Sequence, residues 1–249
     1  MAGLFVPGSP QAKKVEEAVI AAGATWLGAF EEFESFTDEA LASVTVIAAQ
    51  KINGEKLGRN WEKLRALEWF QTWSAGVEHI FRDNKCPQLP SSAVTMTNAS
   101  GAYTEIIAEY VMASVLYFAK ELPRRESSRK QGKWDSFKLR GCVSEETFGV
   151  VGLGDIGSHS ARLAKSFGMR VVATRRRPEL SDPSVDRMYA PTELNAMLAE
   201  CDYVCMATPW TPATDKMLKA EHFAAMKSNV RKPVSVRFCA CTRNFTRKS

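Results

Sequence analysis

Thr147-Phe148-Gly149-Val150-Val151-Gly152-Leu153-Gly154-Asp155-Ile156-Gly157 is the stretch whose reading decides the fold. Val150 and Val151 supply a short strand. The strand runs into Gly-x-Gly-x-x-Gly, and a helical pattern follows. That order suits a turn that binds a dinucleotide. Gly152 permits the tight turn out of the strand. Gly154 carries no side chain, so backbone can approach a pyrophosphate. Gly157 lets the new helix pack close to its strand. N–H groups at the helix start then face the phosphates with help from the helix dipole.

The residues that follow support this reading. Ile156, Leu163, Ala164 and Phe167 recur at helical spacing, Gly168 ends the helix, and Val171-Val172-Ala173 reads as the next strand. The strand–helix–strand unit has the usual size of about 30 residues. Arg175-Arg176-Arg177 closes its second strand. An NAD site usually has an acid there, about 20 residues past the glycines, on the ribose 2′-OH. Guanidinium groups at Arg175 and Arg176 suit a 2′-phosphate instead. The expected cofactor is therefore NADP(H) in preference to NAD(H). A helix over 191–198, a strand over 203–206 and the loop 207–214 come next. That loop lies at a strand's carboxyl end and should face the same cofactor.

The first hundred residues also alternate between strand and helix patterns. Strands are predicted at 4–6, 25–27, 44–49, 69–73 and 94–98. One helix carries Val15, Ala18, Val19 and Ala22 and stops at Gly23. Thr37 caps a second, and Trp61, Leu64 and Leu67 mark a third. This alternation argues for α/β layers on parallel sheets. Ser74-Ala75-Gly76-Val77 is a small-residue turn after a strand, at the sheet edge where ligands bind. A long helix from Tyr103 to about Leu122 is apolar on most sides, so both sides are expected to be buried. It could connect domains or contact a second subunit. The charged run 124–133 reads as a solvated face, with Trp134 and Phe137 anchoring the next loop. The domains are expected at 1–99 and 100–229, with 230–249 as a divergent basic tail.

Composition narrows the classes. The chain has 249 residues, 45% hydrophobic and 24% charged, which are ordinary globular values. The net charge of +5 is concentrated after Ser228, where six Lys or Arg stand with no acid. The rest is near neutral, so no nucleic-acid partner is expected, and the tail reads as a solvated charge run. The longest apolar stretch, 111–119, is far short of a membrane span. The start of the chain lacks the pattern of a signal peptide. Cys86, Cys142, Cys201, Cys205, Cys239 and Cys241 form no Cys-x-x-Cys pair and have no His at zinc spacing. A cytoplasmic protein with free thiols and no metal site is expected.

Taken together, these residues resemble the D-isomer-specific 2-hydroxyacid dehydrogenases, with glyoxylate/hydroxypyruvate reductases as the nearest subgroup. The carriers are Ser74 to Val77, Asn98 to Gly101 with Ala108-Glu109, Leu139-Arg140-Gly141, Val151 to Gly157, Thr208 to Thr214 and Phe223 to Lys227. The resemblance implies two doubly wound parallel-sheet domains, a flavodoxin-like substrate domain and a Rossmann dinucleotide-binding domain. It implies that the backbone at Gly76 and Val77 holds the carboxylate of a small 2-keto or 2-hydroxy acid. Thr104 would lie near the nicotinamide. Gly154, Asp155 and Ile156 would hold the pyrophosphate. Thr208, Pro209 and Thr214 would line the cofactor. A homodimer is expected if the fold is intact.

The chain departs from that family after Asn229. The family continues into a buried strand ending in Arg-Gly, then a Glu, a His and a returning helix. Here Arg231, Lys232 and Pro233 stand where the strand should run, and Pro lacks the ladder N–H. Arg237 falls near the spacing of the family's Arg, but Phe238 replaces the Gly, and Glu and His have no counterpart. The second domain is therefore expected to be incomplete and the catalytic set unassigned. A dinucleotide-binding module without catalysis is the alternative reading.

Overall fold

The computed structural model describes residues 2–5, 10–29, 34–49, 54–134, 136, 141–228 and 234–235. The chain divides into two compact units, Met1–Ala102 and Tyr103–Ser249.

In the first unit, β1 (Ala2–Phe5), β2 (Thr25–Ala29), β3 (Val46–Ala49), β4 (Trp69–Thr72) and β5 (Thr95–Thr97) form one sheet. Its order is β2-β1-β3-β4-β5 and every pair is parallel. This is the flavodoxin-like order, and it reverses direction at β1/β3. The helices are α1 (Pro10–Ala21), α2 (Asp38–Ala42), α3 (Gly54–Arg59) and α4 (Glu78–Phe81). Thr37 caps α2, its Oγ1 accepting from Ala40 N at 3.2 Å. The core joins Leu41, Val44, Ile47, Leu57, Phe70 and Ile80.

The helix expected around Trp61 to Leu67 is a correction. Only 61–63 form a 3-10 turn, and the helix lies earlier, at α3. Leu64 and Leu67 are buried, but from loop positions. What fixes α3 is glycine. A Cβ at Gly54 would lie 2.3 Å from Ile80 O, and one at Gly58 2.3 Å from Lys85 O. The helix therefore rests backbone to backbone on α4 and the segment after it.

The second unit holds α5 (Thr104–Ala119), α6 (Leu122–Lys130), β6 (Thr147–Val151), α7 (Asp155–Ser166), β7 (Arg170–Thr174), β8 (Arg187–Tyr189), α8 (Leu194–Glu200), β9 (Tyr203–Met206), α9 (Ala220–Ala225) and β10 (Val234–Ser235). The sheet order is β10-β9-β6-β7-β8, parallel throughout, the Rossmann arrangement with its switch point at β6/β9. Strand alternation divides the core. Phe148, Val150, Val171 and Ala173 pack with Val111, Val115, Ala161 and Ala164 of α5 and α7. Val151, Val172 and Val204 pack on the other side with Leu194, Met197 and Leu198 of α8.

Three further expectations are corrected. First, α5 buries one stripe, Thr104, Ala108, Val111, Met112, Val115 and Ala119, not both sides. Ile106 and Tyr110 are 67% and 66% exposed, and Tyr117 is exposed as well. A helix laid on one layer hides only the face turned to it. Second, Trp134 anchors nothing, being 93% exposed; Phe137 lies outside the described residues. Third, the ladder does continue past Pro233. Val234 pairs with Cys205 and Ser235 with Met206. Residues 229–233 lie outside the described residues. Along α6 no residue is buried, in keeping with a solvated charged face.

At the amino ends of β7 and β8 a charge cluster ties the layers. Glu200 at the end of α8 accepts from the Tyr189 hydroxyl and pairs with Arg170 at 2.5 Å and Arg187 at 3.3 Å. The Tyr189 hydrogen bond, then that of Arg170, holds the Glu200 carboxyl below its ordinary 4.5. A depressed carboxyl stabilises the fold fully above its unfolded pKa, and the stabilisation is lost as pH falls through the lower folded value. Glu200→Gln should therefore destabilise the protein by about 1–3 kcal/mol at pH 7. The difference should shrink as pH falls below about 4.5. Urea unfolding across pH 3.5–7 measures it, and a pH-independent difference would contradict this role.

Candidate functional site

The three glycines of the β6–α7 turn do three different things. Gly152 sits at φ +95°, where a side chain would be strained. A Cβ there would also meet Thr208 Cγ2 at 2.7 Å and Thr208 N at 2.9 Å. The turn is thereby pressed against the loop after β9. A Cβ on Gly157 would lie 2.2 Å from Gly152 O, so α7 closes directly onto its strand. Gly154, the residue capping α7, differs: nothing lies within 4 Å of its Cβ position. Its Cα faces open space at the start of a 12-residue helix. Asp155 and the half-buried Ile156 form the first turn. The backbone there can approach a pyrophosphate and present N–H groups to it, so these residues fit a dinucleotide.

Arg175, Arg176 and Arg177 directly follow β7. Arg175 is half-buried and its Nη1 donates to Leu180 O at 3.3 Å, so part of its guanidinium folds the loop that follows. Arg176 and Arg177 are exposed, and neither makes an ion pair among the described residues. After β9, Ala207 N donates to Val151 O at 2.9 Å, which carries the loop along the same sheet edge. Thr208 is half-buried and Pro209 exposed. The Thr214 hydroxyl is taken up inside the loop. It donates to Pro209 O at 2.6 Å and accepts from Thr211 N at 2.8 Å. Trp210 Nε1 donates to Asp215 Oδ1 at 2.9 Å and stiffens the same loop. All these residues stand at the carboxyl ends of β6, β7 and β9.

Gly76 and Val77 belong to the first unit, in the turn between β4 and α4. Asn98 Nδ2 donates to Ala75 O at 3.0 Å and Ala99 N to Ser74 O at 3.3 Å. Ser74 N is held by Thr72 Oγ1 at 3.2 Å. With those carbonyls engaged, the N–H groups of Gly76 and Val77 donate to no atom among the described residues. Gly76 is exposed, while Val77 packs partly against the core. The turn thus offers a pair of backbone donors at the carboxyl edge of its sheet. Such a pair can hold a carboxylate without a charged side chain.

Thr104, the first residue of α5, is buried at 5% exposure and bonds to neither loop among the described residues. His159 lies on α7 with Nδ1 3.2 Å from Asp155 O. The Nδ1 of His222 accepts from Lys219 N at 3.1 Å and caps α9. His79 keeps its Nε2 buried, with no hydrogen-bond partner among the described residues. Burial pushes the Cys201 and Cys205 thiols up to about 12, so both stay protonated and unreactive. No group of three or more His, Cys, Asp or Glu that could hold a metal occurs among the described residues. Nor is any of their helices long and apolar enough to cross a membrane. Two contacts at this turn were not foreseen from sequence. Asn98, one of the carriers of the resemblance, holds the Gly76 turn through a bond spanning 23 positions. Glu78 folds back over Gly76, a contact that its sequence position does not announce.

Comparison with known proteins agrees with this geometry. Residues 112–231 match the model of the D-isomer specific 2-hydroxyacid dehydrogenase NAD binding domain. The D-3-phosphoglycerate dehydrogenase of Synechocystis sp. is 32% identical over 158 residues, covering 63% of this chain and 27% of that protein. The hydroxypyruvate reductase of Thermotoga maritima is 30% identical over 138 residues, covering 55% and 44%. The chain thus spans less than half the length of either curated relative. A crystal structure of a D-isomer specific 2-hydroxyacid dehydrogenase family protein from Aeromonas salmonicida superposes with a TM-score of 0.75. It is 25% identical and is matched over 92% of this chain and 70% of its own. With the glycine turn, both sheet orders and these likenesses in agreement, residues 112–231 form a NAD binding domain of the D-isomer specific 2-hydroxyacid dehydrogenase family.

Proposed function

We propose that this protein binds NADPH in preference to NADH and is built for hydride transfer to a small 2-keto acid such as glyoxylate or hydroxypyruvate. The observation that carries the proposal is the open Cα of Gly154, beside a β7 end with three arginines and no acid. When bound, the nicotinamide supplies the hydride. This chain's own residues do the binding. Gly154 leaves room for the pyrophosphate, Arg175 and Arg176 offer donors to a 2′-phosphate, and the N–H pair of Gly76 and Val77 takes the substrate carboxylate. The name of the hydroxypyruvate reductase relative supports the substrate class. Free thiols at Cys86, Cys142, Cys201 and Cys205 suit a cytoplasmic setting.

The cofactor assignment is tested by fluorescence titration with NADPH and NADH. Gly154→Ala should fold as the parent does, because its Cβ reaches empty space at an ordinary φ of −95°. It should nevertheless bind both cofactors at least about tenfold more weakly, by occupying space the pyrophosphate needs. Arg176→Asp should weaken NADPH alone, by one to two decades if a charge-assisted bond worth about 1.5–3 kcal/mol is lost. Arg175→Asp should do the same and also loosen the loop to Leu180. Equal parent affinities for the two cofactors would remove the NADPH preference.

A second reading is a dinucleotide-binding module that turns over poorly. It is favoured by the departure from the family's pattern after Asn229, where Arg231, Lys232 and Pro233 stand in place of a buried strand and Phe238 in place of the Gly after the family's Arg. Reduction leaves an alkoxide that needs a proton, and a positioned acid contributes about 10²–10⁴-fold. Steady-state assays with NADPH and glyoxylate or hydroxypyruvate should show the chain slower by that order than a fusion carrying a family-type C-terminal segment. Equal turnover in the two would reject this second reading.

A homodimer fits the exposed stripe of α5. Ile106, Tyr110 and Tyr117 recur at helical spacing on one side of it. An uncovered row of this kind favours association. Sedimentation should give twice the chain mass, and Ile106→Glu with Tyr110→Glu should give monomer; a monomeric parent at micromolar concentration would refute it.

A further inference from the structure

The loop 207–219 joins β9 to α9 and is fastened at both ends. Thr208 lies against the glycine turn, where a Cβ on Gly152 would meet its N at 2.9 Å. Met217 and Leu218 pack on the core beside α8. Among the described residues, none of 209–216 joins either core cluster of the second unit. That segment is held by hydrogen bonds within itself. The Thr214 hydroxyl donates to Pro209 O and accepts from Thr211 N, while Thr214 N and Asp215 N donate to Thr211 O at 3.0 and 2.9 Å. A further bond closes the segment from outside, from Trp210 Nε1 to Asp215 Oδ1 at 2.9 Å. Trp210 is half-buried and Asp215 is exposed. An indole N–H on a carboxylate is a charge-assisted bond. It encloses Pro209 and Thr214, two residues expected to line the cofactor.

We propose that Trp210 is a positioning residue for the cofactor. Its bond to Asp215 holds residues 209–216 in the binding shape before the dinucleotide arrives. The inference rests on the dinucleotide reading of this sheet edge and goes beyond it, because Trp210 and Asp215 act through the loop and not by touching the cofactor. The physical reason is the cost of ordering. A segment with no core of its own is ordered on binding unless it is ordered already, and affinity falls with the fraction of molecules that have it in place. One net hydrogen bond changes such a balance about fivefold. Asp215 also brings a negative charge to an edge that receives phosphates, so bond and charge have to be separated. Asn keeps the acceptor oxygen and drops the charge, whereas Ala drops both.

NADPH and NADH are titrated calorimetrically into the full chain and into its variants. Trp210→Phe keeps the ring and loses the N–H; it should weaken both cofactors about fivefold. Asp215→Ala should bind more weakly than Asp215→Asn by about the same factor. Adding Asp215→Ala to Trp210→Phe should weaken binding no further, because the bond is already gone. Melting temperatures should be unchanged, since no core contact is altered. In the cofactor-free protein, trypsin should cut after the exposed Lys216 faster in Trp210→Phe and Asp215→Ala than in the parent. Unchanged affinity in Trp210→Phe, further weakening in the double variant, equal affinities of the Ala and Asn variants, unchanged cleavage, or a loss of affinity that comes with a lower melting temperature would each overturn the role of Trp210 and leave the cofactor assignment standing. If the parent binds neither NADPH nor NADH, the dinucleotide reading fails and the inference fails with it.

Discussion

The second unit depends on there being no side chain at Gly152 or Gly157. At Gly157 a methyl group would come within 2.2 Å of the Gly152 carbonyl oxygen, and at Gly152 it would press on the Thr208 backbone. These are backbone obstacles, so no rotamer change relieves them. The close approach does two jobs at once. It seats α7 on β6 so that Ala161 and Ala164 can enter the core with Phe148 and Val150. It also sets the β9 loop beside the turn at the switch point of the sheet. Packing and site geometry therefore share one constraint.

The first unit uses the same device for another end. Gly54 and Gly58, one helical turn apart, bring α3 onto the backbone around Ile80 and Lys85. That contact holds α4 and, through it, the turn at Gly76. The turn is fixed from the other side by Asn98 and Ala99. Its donors stay open because its carbonyls are the atoms that the neighbouring segment engages.

Much of this was legible in the sequence wherever the cause is local. The β6–α7–β7 unit follows from glycine sterics and apolar spacing, and the strands at 25–29, 46–49, 69–72 and 203–206 follow from β-branched and aromatic runs. The misses have a different cause. Trp61, Leu64 and Leu67 imitate a helical stripe, yet each meets the core from a turn or loop, while α3 has the polar sequence Gly-Glu-Lys-Leu-Gly-Arg and is placed by close approach. On α5 the apolar residues run nearly all round, and periodicity cannot say which side has a neighbour. Ile106 and Val111 look alike in sequence; only α7 and β6 distinguish them. The contact of Glu78 with Gly76 is a side-chain rotamer, which no spacing rule encodes.

Charge is sorted between the two edges of the second sheet. At the amino edge Lys165 pairs with Asp186, Arg170 and Arg187 share Glu200, and Lys227 grips Asp202, whose carboxylate also accepts from Thr147 N at 2.9 Å. Every one of these pairs links a helix end or loop to the start of a strand. Each of these charges has an opposite charge within 4 Å, so together they brace the layers. At the carboxyl edge the pattern reverses. Arg176 and Arg177 stand exposed without ion pairs among the described residues, the glycine turn adds the positive end of α7, and no acid follows β7 until Glu179. Cations left unpaired by the fold repel one another and gain most when an anion arrives. The same sheet is therefore electrostatically satisfied where it is held together and unsatisfied where a dinucleotide's phosphates would lie.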